Sequence, residues 1–146
     1  MKQSLSTVNR IDTMFRAFSD RTRLRILYLL RGGECCVGNL VDILRIEQPS
    51  ASRHLAYLRK AGLVHVRRAG LWCYYSLAPA AEPFHQKLLE CLACCFSEVP
   101  AIRADQDRAR KIKEFGGCCP EEEEMATAKK RKKAEKSRKD DECCPG

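Results

Sequence analysis

Residues 48–77 constrain the fold most, because a helical pattern passes directly into an alternating one. The segment QPSASRHLAYLRKAG has Pro49 where the first turn of a helix tolerates proline, and it ends at Gly62, which suits a left-handed helix cap. LVHVRRAGLWCYYSL then alternates on both sides of Ala69-Gly70, as two strands joined by a tight turn do. The stretch therefore predicts a helix followed by a β-hairpin with arginines beside its turn.

Apolar residues at helical spacing precede this unit in three segments. VNRIDTMFRAF has apolar side chains three and four residues apart, SDRTRLRILYLL is nearly all core-like and stops at Gly32-Gly33, and CVGNLVDILRI is short. Helices in this order, followed by a polar-faced helix and a hairpin, predict a winged helix-turn-helix. The expected fold class is mainly α with a β-hairpin wing (α+β).

The helix over residues 48–60 has two distinct faces at about 100° per residue. Ala51, Leu55 and Leu58 lie on one side, and the opposite side is polar and basic. We expect the polar face to enter a major groove, where Arg53 would donate to a guanine edge, while wing arginines meet phosphates. The candidate DNA-contacting residues are Gln48, Ser50, Ser52, Arg53, His54, Tyr57, Lys60, Arg67 and Arg68.

The net charge of +8 belongs to the region that carries these patterns. Residues 116–146 hold eight basic and eight acidic side chains, so residues 1–115 carry the whole excess. A basic folded region indicates a polyanionic partner, and double-stranded DNA is the simplest one.

A last long helix is predicted from Glu82 to Val99, since Pro83 fits its first turn and Pro100 discourages continuation. The N-terminal MKQSLSTVNRIDTMF has no unbroken apolar core, and no apolar run approaches the roughly 20 residues that span a bilayer. We therefore expect a cytoplasmic protein without a membrane partner.

These patterns divide the chain into three parts. Residues 1–100 form the predicted winged helix-turn-helix domain, and residues 101–115 carry a weak pattern for one short extra helix. Residues 116–146 are charged, contain cysteines and lack aromatic side chains. Such a segment buries too little apolar surface to offset its ordering entropy, so we expect a disordered tail.

Ten cysteines in 146 residues are the most unusual feature of the composition. Eight of them form adjacent pairs: Cys35-Cys36, Cys94-Cys95, Cys118-Cys119 and Cys143-Cys144. Adjacent cysteines are poor disulfide partners for each other. In a reducing compartment, their density therefore indicates metal binding or redox chemistry.

Over about residues 8–100 the chain resembles the ArsR/SmtB family of metal-responsive repressors. The resemblance lies in DRTRLRIL, ECCVGNL, QPSASRHLAYLRKAGLV and RRAGLWCYYSL, which follow one another in the family's order and spacing. It implies a homodimer built through the first and last helices of the domain. It also implies that the dimer represses an operator on double-stranded DNA and leaves it when an inducer binds.

Two departures from the family narrow the choice of sensing site. The Cys-Val-Cys box of many arsenic-responsive members is incomplete, because Gly38 follows Cys36-Val37. The carboxylate and histidine ligands of zinc-responsive members are missing, and the last helix offers only His85.

The last helix instead contains ECLACCF, with Cys91, Cys94 and Cys95 within about 100° of helical arc. Soft thiolates select soft ions, and three sulfurs match the valence of trivalent arsenic or antimony, whereas zinc needs a fourth ligand. We therefore expect arsenite, methylarsenite or antimonite as the inducer. Secondary candidate ligands are Cys35, Cys36, Cys118 and Cys119.

Three other interpretations stay open from the sequence. The same fold can sense cadmium, zinc or lead, or it can respond to thiol oxidation. A protein of another class, a cysteine-rich metal-sequestering protein without gene regulation, has similar cysteine usage. Enzymatic function is not expected, since no nucleophile–base pairing or glycine-rich phosphate loop is readable. No organic cofactor is expected either.

Overall fold

The computed structural model describes residues 2–117, with side chains from residue 6 onward. Apart from Gly116 and Gly117, the predicted tail over residues 116–146 lies outside the described residues. No helix of the described part is long and apolar enough to cross a membrane. The elements in chain order are α1 (Lys2–Phe18), α2 (Arg21–Leu30), β1 (Cys35–Cys36), α3 (Val37–Leu44), α4 (Gln48–Lys60), β2 (Val64–Ala69), β3 (Trp72–Leu77), α5 (Pro83–Cys95) and α6 (Pro100–Glu114).

The helix boundaries follow from identifiable caps. The Asp20 carboxylate accepts a hydrogen bond from the Arg23 backbone N–H at 2.9 Å and so caps the start of α2. Pro49 lies in the first turn of α4, where no backbone N–H is needed. Beyond the end of α4, Gly62 has a φ of 77°, a left-handed conformation that glycine adopts without steric cost.

The wing is an antiparallel hairpin of β2 and β3, and its register pairs Val64 with Leu77 and Ala69 with Trp72. Gly70 has the positive φ, 63°, that the first position of a two-residue hairpin loop requires. The other loop residue, Leu71, is fully exposed. This hairpin, placed after α4, confirms the predicted winged helix-turn-helix fold.

A third strand, β1, extends the sheet in the order β1-β3-β2. It pairs Cys35 with Tyr75 and Cys36 with Tyr74. The sequence did not predict it, because two residues cannot display an alternation. Its consequence is that the segment before α3 is hydrogen-bonded to the base of the wing.

One apolar core joins all the helices. Full burial of each large aliphatic side chain stabilises the fold by about 1.5–3 kcal/mol relative to exposure. The buried core residues include Met14, Ile26, Leu27, Leu40, Leu55, Leu58, Leu63, Leu92 and Ile102. The predicted inner face of α4 therefore packs inward, which leaves its polar face toward solvent.

The predicted last helix over 82–99 is shorter than expected, since α5 ends at Cys95. The half-buried Phe96 turns in against the core, and Val99 has an extended conformation immediately before Pro100. A residue that precedes proline is disfavoured in the helical region, so the chain breaks there and restarts as α6. Helix α6 occupies the weakly patterned segment and packs against α2 and α3.

Candidate DNA interface and thiol site

The candidate DNA interface consists of the polar face of α4 and the arginines of the hairpin. Gln48, Ser52, Arg53 and Lys60 are exposed, whereas Ser50 and His54 are half-buried. Counted at about 100° per residue, Arg53, Tyr57 and Lys60 lie opposite Ala51, Leu55 and Leu58, which are all buried. The other four candidates of α4 lie nearer the edges of that face. Arg67 and Arg68 are exposed on β2. The structure thus places the candidates of α4 outside its buried stripe and the two candidate arginines on the wing that follows.

Two of these residues also have structural partners within the protein. The guanidinium of Arg23 stacks over the Tyr57 ring, 4.2 Å from its centroid, and donates to the Ala17 carbonyl at 2.9 Å. The His54 imidazole lies 3.7 Å from the carboxylate of Asp20. Both contacts attach the polar face of α4 to the start of α2, so Tyr57 and His54 contribute to the position of this helix.

Arg67 on the wing is held by a side chain that the sequence interpretation missed. Its guanidinium donates two hydrogen bonds to Glu34, at 3.0 and 2.7 Å, and stacks 4.6 Å from the centroid of the Tyr74 ring. The paired guanidinium lowers the pKa of the Glu34 carboxyl. Glu34 precedes β1, and its only sequence signal is an acidic side chain beside a short, weakly patterned segment.

Replacement of Glu34 by glutamine is expected to strengthen DNA binding modestly, by about two- to fivefold at low salt. The carboxylate competes with DNA phosphates for Arg67, and an exposed ion pair of this kind is worth only about 0.2–1 kcal/mol. The slope of log affinity against log salt should steepen by about 0.9 for each phosphate gained. Fluorescence anisotropy over a salt series measures both quantities, and an unchanged slope would mean that Arg67 reaches no phosphate. Asp42→Asn, an exposed acidic residue on α3, is the matched control.

The three thiols of α5 are all exposed on the single chain. The Cys94 and Cys95 sulfurs lie 3.3 Å apart at the final turn of α5. Their mutual hydrogen bond raises the pKa of the Cys94 thiol. Cys91 presents its backbone carbonyl to the Cys94 sulfur, at 3.6 Å. Two of the three predicted sulfurs are therefore adjacent, and Cys91 stands one helical turn away.

Among residues 2–117, no three histidine, cysteine, aspartate or glutamate side chains are gathered as a ready metal site. A ligand that uses all three thiols must therefore draw Cys91 toward the other two. Because α5 ends at Cys95, its last turn has no following turn to hold it rigid. The site is a vicinal thiol pair with a third thiol in reach.

The secondary candidate ligands differ from this pair in their surroundings. Cys35 is half-buried, while Cys36 is buried and disulfide-bonded. The Cys36 sulfur also accepts the backbone N–H of Asn39 at 3.4 Å and so caps α3. The Cys118-Cys119 pair lies outside the described residues.

His85, the one histidine of α5, is buried, with 1% of its surface exposed. Both of its ring nitrogens lack a hydrogen-bond partner among the described residues. Burial lowers the pKa of this imidazole, so it is held neutral at physiological pH. It lies in the first turn of α5, away from the exposed thiols at the other end of that helix.

Comparison with known proteins supports this picture. A family model described as "Bacterial regulatory protein, arsR family" matches residues 20–66. The arsenic resistance transcriptional regulator ArsR1 of Pseudomonas putida is 42% identical over 78 residues, which cover 53% of this chain and 61% of that protein. The arsenical resistance operon repressor of Escherichia coli is 41% identical over 91 residues, which cover 61% of this chain and 78% of that protein.

A third relative and one solved structure extend the comparison. A Staphylococcus aureus homolog of the cadmium resistance regulatory protein CadC is 38% identical over 79 residues, which cover 52% of this chain and 65% of that protein. The homodimeric winged helix-turn-helix DNA-binding domain of Mb0332 from Mycobacterium bovis superposes with a TM-score of 0.57 at 25% identity, over 68% of this chain and 90% of that one. The chain therefore belongs to the ArsR family of bacterial regulatory proteins, which are DNA-binding transcriptional regulators and not enzymes.

Proposed function

We propose that this regulator is a homodimeric repressor that trivalent arsenic or antimony releases from its operator. The inducers would be arsenite or antimonite bound by Cys91, Cys94 and Cys95, or methylarsenite bound by two of these thiols, because its arsenic–carbon bond takes the third valence. The observation that carries the proposal is the exposed pair of sulfurs 3.3 Å apart on the last turn of α5, one turn from a third thiol. The resemblance to arsenic resistance regulators points to the same ligand class.

The apolar side chains of α1 and α5 support the homodimer. Phe15 on α1 is 55% exposed and packs on Phe84 of α5, with ring centroids 5.1 Å apart. Val8, two turns earlier on α1, is 58% exposed. Large apolar side chains clustered on one face of a chain mark an interaction surface. A partner with the same face would cover it by two-fold symmetry.

The mechanism follows from where the thiols lie. In the homodimer, α5 would belong to the interface that sets the distance between the two α4 helices. A ligand that gathers a third thiol must reshape the last turn of α5, and operator binding depends on the spacing of the two recognition helices. The ligand and the DNA then favour different dimer geometries. The resulting loss of DNA-binding free energy when the ligand is bound is the coupling free energy between the two sites.

Proton transfer accompanies the binding step. The thiolate is the form that binds a metal ion or metalloid, and the hydrogen bond between Cys94 and Cys95 raises the pKa of Cys94. Each sulfur–arsenic bond formed with arsenite replaces one arsenic–hydroxyl bond, and the thiol proton leaves with that hydroxide as water. Arsenite binding therefore releases no net proton, whereas binding of a divalent metal ion by the same thiols would release protons and tighten as pH rises.

The three thiols favour binding of an ion that takes three sulfur ligands over binding of zinc. Zinc sites in proteins are closed by four ligands, and the exposed end of α5 offers three thiols within reach. Cadmium and lead are also thiophilic, and one relative is named for cadmium resistance. These metals, zinc and thiol oxidation are therefore the alternatives that an experiment must separate.

The test is an inducer panel on the protein bound to the DNA upstream of its own gene. Footprinting first defines the operator, and the complex is then challenged separately with arsenite, methylarsenite, antimonite, cadmium, zinc, lead and hydrogen peroxide. We expect release by the trivalent metalloids at about one equivalent per protomer. Release by cadmium alone would identify a cadmium sensor. Release by peroxide, reversed by dithiothreitol, would identify a sensor of thiol oxidation. Absence of any footprint, with several ions bound per monomer, would point to metal sequestration.

A further inference from the structure

A buried ion cluster fastens α6 to the turn that leads into the recognition helix α4. Asp105 on α6 is 1% exposed, and its carboxylate accepts two hydrogen bonds from Arg25 on α2, both at 2.6 Å. Arg108, one turn further along α6, donates to the same carboxylate. The cluster thus sits between three helices, with a single buried acid holding two arginines.

Both arginines also bind the end of α3. Arg25 donates to the Leu44 carbonyl at 3.1 Å, and Arg108 donates to the Ile43 carbonyl. The last carbonyls of a helix have no partner within that helix, so the two guanidinium groups satisfy them. Arg45 follows in a left-handed conformation, with φ of 55°, and α4 begins at Gln48. The position of α4 therefore depends on a turn whose entry is fixed by the Asp105 cluster.

The start of α6 follows the thiols closely in the chain. Four residues, 96–99, separate Cys95 at the end of α5 from Pro100 at the start of α6. This connection is itself structured, because the Val99 N–H donates to the Phe96 carbonyl at 3.2 Å. Ile102 in the first turn of α6 and Leu92 in α5 belong to the same buried core. A change in the last turn of α5 therefore reaches α6 through a short, packed segment.

We propose that Asp105 is a positioning residue that transmits a change at the Cys91, Cys94 and Cys95 site through α6 to the recognition helix. Packed cores switch between discrete arrangements instead of deforming continuously. A displaced α6 carries the carboxylate with it and moves the arginines that hold the carbonyls of Ile43 and Leu44. This inference rests on the proposed function, because it needs a ligand on α5.

The test compares wild type with Asp105→Asn. The amide keeps the shape of the carboxyl group but loses the charge that holds Arg25 and Arg108. Asp107→Asn is the matched control, since Asp107 lies on the same helix, is exposed, and pairs with Arg110 at 2.7 Å. If Asp105→Asn fails to fold, Arg108→Lys replaces it, because lysine keeps the cation and loses the fork that bridges Asp105 and the Ile43 carbonyl.

Three quantities are measured on each protein: the thermal midpoint, arsenite binding from the sulfur–arsenic absorbance, and operator affinity with and without arsenite. Arsenite is expected to weaken wild-type operator binding by about 5–150-fold, the usual range of allosteric coupling. In Asp105→Asn that factor should fall at least about fivefold while arsenite binding stays within about twofold of wild type. A purely structural role would lower the thermal midpoint without changing the factor, and this result would overturn the inference.

The outcomes separate the two proposals. An unchanged coupling factor in both Asp105→Asn and Arg108→Lys would reject the role of Asp105 and leave arsenite sensing intact. If arsenite binds wild type but releases no DNA, or does not bind, both proposals fail. A coupling loss of equal size in Asp107→Asn would also overturn the inference, because the effect would then follow from the charge of α6 and not from the buried cluster.

Discussion

A protein with serine at both Cys94 and Cys95 is expected to bind its operator normally and to lose its response to arsenite. The hydroxyl oxygen is a hard ligand that does not replace a thiolate toward a soft ion. Both side chains are exposed, so the change in stability should stay within about 0.5 kcal/mol. Arsenite should weaken wild-type operator binding by about 5–150-fold and should change the affinity of the variant less than about twofold. Anisotropy titrations of a labelled operator measure this directly.

Two further substitutions make this result interpretable. Cys73→Ser, on β3 of the wing, removes one thiol outside the site and should respond as wild type does. Cys91→Ser tests whether the third thiol is needed, because the structure places Cys91 a turn away from the adjacent pair. Normal release from the double-serine protein would show that the sensing thiols lie elsewhere.

Replacement of Arg53 by alanine is expected to remove most sequence-specific DNA binding. Arg53 is exposed at the centre of the polar face of α4, where the helix would enter the major groove. A bidentate contact between arginine and guanine is worth about 1–3 kcal/mol, and a dimer would lose it in both half-sites. Affinity for the operator should therefore fall by about 10-fold or more per half-site, while affinity for unrelated DNA changes little.

The control for Arg53 is a second arginine of the same helix. Arg59 is exposed and lies about 120° around α4 from Arg53, at the edge of the polar face. Arg59→Ala should weaken specific and non-specific DNA by similar factors, as loss of a phosphate contact does. If Arg53→Ala also lowers both affinities equally, Arg53 binds the backbone and another side chain reads the bases.

The arrangement of the candidate DNA interface was predictable because it depends on neighbours in the chain. The helical spacing of Ala51, Leu55 and Leu58 fixes which side of α4 is buried, and the alternation around Gly70 fixes the hairpin. Both patterns are local in the sequence, so the helix and the hairpin could be predicted without knowledge of the tertiary packing. The family resemblance rests on the same stretch and was confirmed by the comparisons.

The residues that the sequence interpretation missed make contacts over long distances in the chain. Arg67 meets Glu34 across 33 residues, and Arg25 meets Asp105 across 80. No periodicity marks such pairs, and Asp105 stands in a segment whose helical pattern is weak. An aspartate is buried there only because two arginines from different places converge on it, since an unpaired buried carboxylate would be strongly disfavoured.

The thiol site shows the same division. The sequence alone determined that Cys91, Cys94 and Cys95 share one side of a helix, because that relation follows from 3.6 residues per turn. Only the tertiary structure decided that the helix ends at Cys95, that two sulfurs approach to 3.3 Å, and that Cys91 does not join them. Phe96 packing against the core and Pro100 restarting the chain as α6 determine that end. Helical periodicity thus selects the residues, and long-range packing sets the distances between them.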